Sequence, residues 1–198
     1  MSKKKNIASP ITASLGTGRV VKNTGSSYIV RLQSGKEAAC RIKGNFRIKG
    51  IRTTNPVAVG DIVEVSKAAD DADYITAILP RSNYIIRRAS NLSKESHILA
   101  SNIDLAILVA TLREPATTTT FIDRFLATAE AYSVNAALVI NKEDMWDDID
   151  RELADALKNL YSSIGYPVFF VSAATGDGLT ELTGFISGKI SLLAGNSG

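Results

Sequence analysis

The chain has 198 residues, 45% of them apolar, and a formal net charge of +3; that is enough for one large or two small domains with true cores. No stretch approaches the ~20 apolar residues of a membrane-spanning helix, and no apolar run follows the basic start Met1-Ser2-Lys3-Lys4-Lys5 as a signal peptide requires. The single cysteine, Cys40, rules out an internal disulfide, speaks against a cysteine metal cluster and points to a reducing, cytoplasmic setting.

The net charge conceals a division. Residues 1–60 hold 12 Lys/Arg and one acid, Glu37, a balance of +11. Residues 61–90 hold four basic and five acidic groups, a balance of −1. Residues 91–198 hold 7 basic and 14 acidic groups, a balance of −7. Opposite signs in the two halves predict two modules with different partners. A basic module in the cytosol most often meets nucleic acid.

In chain order, residues 1–14 read as a flexible basic arm. Residues 15–80 read as five short strands: 18–22, 28–32, 36–42, 60–65 and 74–79. The turn-prone runs Asn23-Thr24-Gly25 and Gln33-Ser34-Gly35 separate the first three. Five short strands with such turns predict a small all-β barrel. The run Gly60-Asp61-Ile62-Val63-Glu64-Val65 after a long loop resembles OB-fold domains of the S1 type. That loop carries Arg41, Lys43, Arg47, Lys49 and Arg52 without an acid. A basic groove of this kind follows a nucleic-acid backbone. The cluster is read as an RNA contact, and Phe46 within it as a core residue.

Residues 81–101 are a connecting segment. Arg81, Arg87 and Arg88 interleave with Tyr84, Ile85 and Ile86, so the segment is expected to be packed. His97, the one histidine, has no Cys or His beside it and is read as structural. No metal-ligand set is expected.

From Ile103 the period changes. Residues 103–110 and 134–140 are apolar, β-branched runs that read as buried parallel strands. Thr120 is expected to open a helix between them, with Asp123 as its capping-box acid. A second helix is predicted over 147–163, with Gly165 just past its end. A strand at 167–171, a helix at 179–187 and a strand at 190–194 complete the pattern. Alternating strands and helices predict βαβ units and a parallel sheet over residues 102–198.

Three strand ends carry candidate chemistry, at the edge where open α/β sheets place ligands. After the second strand comes Asn141-Lys142-Glu143-Asp144. The Asp144 carboxylate can accept from both N1–H and the 2-amino group of guanine, in charge-assisted bonds. Adenine offers a lone pair at N1 and no 2-amino group, which disfavours an ATP-using kinase or ATPase. Asn141 can tie the loop and reach the base edge, and the stem of Lys142 can lie over the base. Taken alone, the tetrapeptide reads better as a turn that opens the next helix. After the third strand comes Ser172-Ala173, and after the fourth Gly195-Asn196-Ser197-Gly198. The last four match the start of a phosphate-binding Gly-x4-Gly-Lys-[Ser/Thr] loop.

Ordinary GTPases run phosphate loop, switches, Asn-Lys-x-Asp, Ser-Ala. This order runs Asn-Lys-x-Asp, Ser-Ala, phosphate loop. Behind an OB-like barrel, it resembles the circularly permuted, ribosome small-subunit-dependent GTPase A family over roughly residues 15–198. Arg81-Ser82-Asn83, Ala100 to Asp104, Ile122 to Leu126, Gly165-Tyr166-Pro167 and Val171-Ser172-Ala173 belong to the match. The resemblance implies a cytoplasmic, monomeric GTP hydrolase, without membrane contact, that binds the small ribosomal subunit and its rRNA late in assembly. It implies that Asn141, Lys142 and Asp144 select guanine in GTP or GDP. It implies further that Ser172 and Ala173 support the base and that Gly195, Asn196, Ser197 and Gly198 begin the phosphate cradle. The family's phosphate-loop lysine, Mg²⁺-binding hydroxyl, switches and zinc domain would follow Gly198. No catalytic residue is therefore assigned, Mg²⁺ and zinc are expected only in a longer chain, and this stretch is expected to be inactive. The alternative is a non-catalytic OB-fold RNA-binding scaffold.

Overall fold

A computed structural model describes residues 10–42, 56–88 and 96–195. The chain divides into two compact units between Asn102 and Ile103.

In the first unit β1 (Ile11–Asn23), β2 (Tyr28–Leu32), β3 (Glu37–Ile42), β4 (Ile62–Ala68) and β5 (Asp73–Ile78) close into a barrel of order β1-β2-β3-β5-β4. Only β3 and β5 pair in parallel. Alternation along the strands fills the interior. Tyr28 and Val30 point inward from β2, Ala38 and Cys40 from β3, and Val63 and Val65 from β4. Cys40 is thus a strand residue; burial first, and the Asp73 carboxylate second, push its thiol up to about 12.

Two features differ from expectation. Ile11 to Ser14 belong to β1, where Ile11 faces Ala68 and Ser14 faces Ser66 of β4. These four residues are exposed, so they show no hydrophobic pattern, and only their backbone pairing makes them a strand. The connecting segment forms an antiparallel pair, β6 (Tyr84–Arg88) and β7 (Ser96–Ser101), in which Ile85 faces Ala100 and Ile86 faces Ile98.

A buried ion pair fastens this pair to the turn before β4. Arg81 donates from Nε and Nη2 to the two oxygens of Asp61, each at 2.6 Å, with side-chain exposures of 8% and 0%. Ser101 Oγ donates to Asp61 Oδ1 at 2.5 Å, and the Ala58 amide to Oδ2 at 2.9 Å. Every charge-bearing atom of the carboxylate is therefore partnered. Gly60, at φ +94°, lies beneath Ser101, whose carbonyl oxygen would be 1.9 Å from any Cβ there.

The second unit comprises β8 (Leu105–Thr111), α1 (Thr119–Ala131), β9 (Ala136–Asn141), α2 (Asp148–Ser163), β10 (Val168–Phe170), α3 (Leu179–Ile186) and β11 (Ser191–Gly195). Its four strands are all parallel, in the order β10-β9-β8-β11. Ala136 to Ile140 of β9 are buried without interruption, as a strand covered on both faces must be.

The start of α1 corrects the expected cap. Thr118, not a capping box at Thr120, accepts from the Phe121 amide at 3.2 Å. Asp123 instead accepts from the hydroxyl of Tyr161 on α2 at 2.9 Å. Four consecutive threonines, 117–120, offer the same capping chemistry, so local sequence does not choose among them. At α2 the box is real: Asp150 N donates to Asp147 Oδ1 at 2.9 Å and Asp147 N to Asp150 Oδ2 at 3.3 Å.

Removing one partner of a buried ion pair strands the other charge. Arg81→Ala is expected to lower the unfolding free energy of the first unit by about 3 kcal/mol in chemical denaturation. Arg31→Ala, which breaks only the exposed pair with Glu37 at 2.8 Å, is expected to cost under about 1 kcal/mol.

Candidate functional site

Parallel strands bring their carboxyl ends to one edge. Thr111 of β8 is level with Asn141 of β9, Phe170 of β10 with Ile140, and Gly195 of β11 with Val109. The loops after β9 and β10 therefore emerge side by side.

Hydrogen bonds lock these two loops together. After β9, Lys142 adopts φ +70°, and Glu143–Met145 form a single 3₁₀ turn. The Glu143 amide donates to the Val171 carbonyl at 3.1 Å. After β10, Ser172 is fully buried; its amide donates to the Asp177 carbonyl at 3.0 Å and its Oγ accepts from the Thr175 amide at 3.1 Å. Two bonds then cross between the loops. Ser172 Oγ donates to Asp144 Oδ1 at 2.5 Å, and the Ala173 amide donates to Asn141 Oδ1 at 3.0 Å. Asn141, Asp144, Ser172 and Ala173 thus form one cluster. The Ala173 amide is committed to Asn141.

The consequence is an oriented carboxylate. Ser172 holds one oxygen of the exposed Asp144, while Oδ2 has no protein partner among the described residues. A planar ligand with two adjacent N–H donors matches that group, and a ligand presenting a lone pair does not. Lys142 Nζ donates to the carbonyl of Glu114 in the loop after β8, so a third strand end joins the cluster.

The sequence did not reveal Arg113. Its Nη2 lies 2.5 Å from Asp147 Oδ2 and its Nε 2.8 Å from Asp150 Oδ2, which joins the loop after β8 to the cap of α2. The Asp150 amide, then Arg113, hold the Asp147 carboxyl below its usual range. A single arginine in a loop, 34 residues from Asp147, gives no local signal of that pairing.

Gly195 ends β11 so close to β8 that a Cβ would lie 2.7 Å from the Val109 carbonyl oxygen. Asn196, Ser197 and Gly198 lie outside the described residues, as do Lys43, Phe46, Arg47, Lys49 and Arg52. Arg41 is described: it is exposed on β3, level with Tyr74 of β5. Among the described residues, no group of three or more His, Cys, Asp or Glu is placed to hold a metal ion. A cleft bordered by Asp104, Asn135, Gly165 and Lys189 lies at the amino ends of the strands, away from this cluster.

A parallel sheet whose Asn141–Asp144 and Ser172–Ala173 loops follow β9 and β10, and whose glycine-bearing β11 comes later in sequence yet lies beside β8, defines a circularly permuted GTPase unit that follows an OB-like barrel in the chain. The family models agree: RsgA N-terminal domain matches residues 17–75 and RsgA GTPase matches residues 78–198. The chain belongs to the RsgA GTPase family. It is 58% identical over 183 residues to a Porphyromonas gingivalis protein named small ribosomal subunit biogenesis GTPase RsgA, with 91% of this chain and 58% of that protein covered. A Phocaeicola vulgatus protein of the same name is 54% identical over 181 residues, at 91% and 58% coverage. The chain thus spans a little over half the length of these relatives. Among solved structures, YjeQ from Thermotoga maritima superposes with TM-score 0.72 at 33% identity, covering 92% of this chain and 61% of that one. YloQ, described as a circularly permuted GTPase, superposes with TM-score 0.68 at 28% identity, covering 100% and 63%.

Ser172→Ala removes a donor to a carboxylate and leaves the Thr175 amide unpartnered. It is expected to cost about 2 kcal/mol of stability. Hydrogen exchange of the amides in 141–145 and 172–177 should quicken together, with β1–β5 unchanged.

Proposed function

We propose that this chain supplies the RNA-contacting and base-selecting parts of a GTP-hydrolysing factor that assists late maturation of the small ribosomal subunit. The observation that carries the reading is the Ser172-to-Asp144 bond, which presents a carboxylate edge beside Asn141. The names of the relatives at 54–58% identity support the ribosomal setting. Asp144 would accept from N1–H and the 2-amino group of guanine. Asn141, held through its Oδ1, would have its amide Nδ2 free to donate to the base. Lys142 would border the base with its stem. Gly195 and the three residues after it would open the phosphate cradle.

These residues choose a base; none of them activates water. In this reading the chain alone binds guanine nucleotide weakly and does not turn GTP over, because phosphate contacts supply much of a nucleotide's affinity. Mg²⁺ would accompany GTP in the family's reaction, but the described residues hold no set that fits it or zinc. The protein would act as a monomer in the cytoplasm, without a membrane partner. No helix among the described residues is long and apolar enough to cross a bilayer. A non-catalytic RNA scaffold would need neither the Asp144 carboxylate edge nor the loops that hold it.

Fluorescent GDP titrated into the chain should be displaced by GDP and not by ADP; equal displacement would overturn the reading. Asp144→Asn replaces an ionised acceptor and is expected to weaken GDP by about 30-fold, equivalent to about 2 kcal/mol. Xanthosine diphosphate, whose 2-oxo group accepts, should instead bind the variant more tightly than it binds the parent, because the new amide can donate to that group.

The basic cluster Arg41, Lys43, Arg47, Lys49 and Arg52 is proposed to contact rRNA phosphates. Single-stranded RNA affinity should fall with salt, since each neutralised phosphate releases counterions. Reversing all five charges should flatten the log–log salt slope by about 3.5, at about 0.7 per contact. An unchanged slope would place the RNA elsewhere.

A further inference from the structure

α2 carries two apolar rows. The inner row, Ala154, Leu157 and Tyr161, is buried in the unit. The second row, Ile149, Leu153, Ala156, Leu160 and the cap residue Ile164, recurs at steps of four, three, four and four, and all five are exposed. Ile149 is 74% exposed, Leu160 52% and Ile164 61%. The steps place them on one stripe about 22 Å long. A solvated helix has no need of such a stripe. Its neighbour on one side is the buried row, so the stripe continues the core outward.

On the other side runs a row of acids. Asp148, Glu152 and Asp155 stand at steps of four and three, and all three are exposed. None of them makes an ion pair among the described residues. Their neighbours differ: Asp147 and Asp150 are matched by Arg113, and Glu143 by Arg151. An apolar stripe edged by uncompensated carboxylates is complementary to a helix with a leucine-like face and a lysine/arginine flank.

We propose that the outer face of α2 docks a basic amphipathic helix of a protein partner. The charge decides among occupants. RNA and anionic lipid would both meet repulsion from Asp148, Glu152 and Asp155. A second copy, paired antiparallel about a two-fold axis, would set the carboxylate row against its own image. Only a cationic partner gains from the flank as well as from the stripe. The surface includes none of the base-selecting residues, so it does not depend on that reading.

The test uses synthetic helices of about four turns, labelled and followed by fluorescence anisotropy. One has a Leu/Ile face flanked by Lys/Arg; its control keeps the face and carries Glu instead. The basic helix should bind the chain at least about tenfold more tightly, as expected of three partly exposed charge pairs. Asp148→Asn/Glu152→Gln/Asp155→Asn should remove that preference. Leu153→Ser/Leu160→Ser should abolish binding of both. All five positions are solvent-facing, so each variant's melting temperature should stay near that of the parent. Equal binding of the two helices, binding that survives both variants, displacement by single-stranded RNA, or self-association lost in Leu153→Ser/Leu160→Ser would each overturn the proposal.

Discussion

The site depends on a buried hydroxyl. Ser172 has no exposed surface, and its Oγ accepts from one amide while donating to Asp144. A carboxylate on a surface turn ordinarily samples many rotamers, and fixing it costs entropy at the moment of binding. Here that ordering is done within the folded protein. The second bond, Ala173 N to Asn141 Oδ1, fixes the neighbouring amide in the same way. Both bonds are possible only because β9 and β10 are parallel neighbours in register, with Ile140 opposite Phe170. Sheet order therefore comes before recognition: were β9 and β10 separated by another strand, neither bond could form.

The first unit uses the opposite strategy. Its hub, Asp61, is a fully buried charge, and the protein answers it with Arg81, Ser101 and the Ala58 amide. A buried pair of this kind adds little net stability over apolar packing, yet it tolerates no substitute partner. Its effect is to specify where the β6–β7 pair meets the turn before β4. Arg19 adds to this by donating to the Gly60 and Asn102 carbonyls at 3.0 and 3.3 Å. The Asp61 charge is buried where register must be unique, and the Asp144 charge is left exposed at the strand ends.

The parts legible in the sequence were those with a period or an ordered motif. The parallel strands announced themselves as unbroken apolar runs, α2 by its acidic start and the glycine after it, and the loops by Asn141 to Asp144 and Ser172-Ala173. What escaped was set by partners distant in sequence. Ile11 to Ser14 are exposed and show no alternation of buried and solvent-facing positions, and only β4 makes them a strand. Thr118 was hidden among identical neighbours. Asp123 resembles a local cap in sequence because its partner, Tyr161, lies 38 residues away. Arg113 and the commitment of the Ala173 amide to Asn141 are contacts between loops, and one-dimensional spacing carries no information about them.

Charge within the second unit gives the proposed nucleotide a direction. Asp148, Glu152 and Asp155 stand in the first two turns of α2 without an ion pair among the described residues, just after the loop that follows β9. That is a poor place for phosphate and a good one for a base that offers two N–H donors. β11 lies two strands from β9, roughly 10 Å at the usual spacing, on the side of the sheet away from α2. Gly195 ends there without a side chain, where backbone amides can approach an anion. A nucleotide aligned with this gradient has its base at Asp144 and its phosphates towards Gly195. Reversing it would set phosphate against a carboxylate that Ser172 holds in place. The acidity of this half thereby orients the one anion that it is proposed to bind.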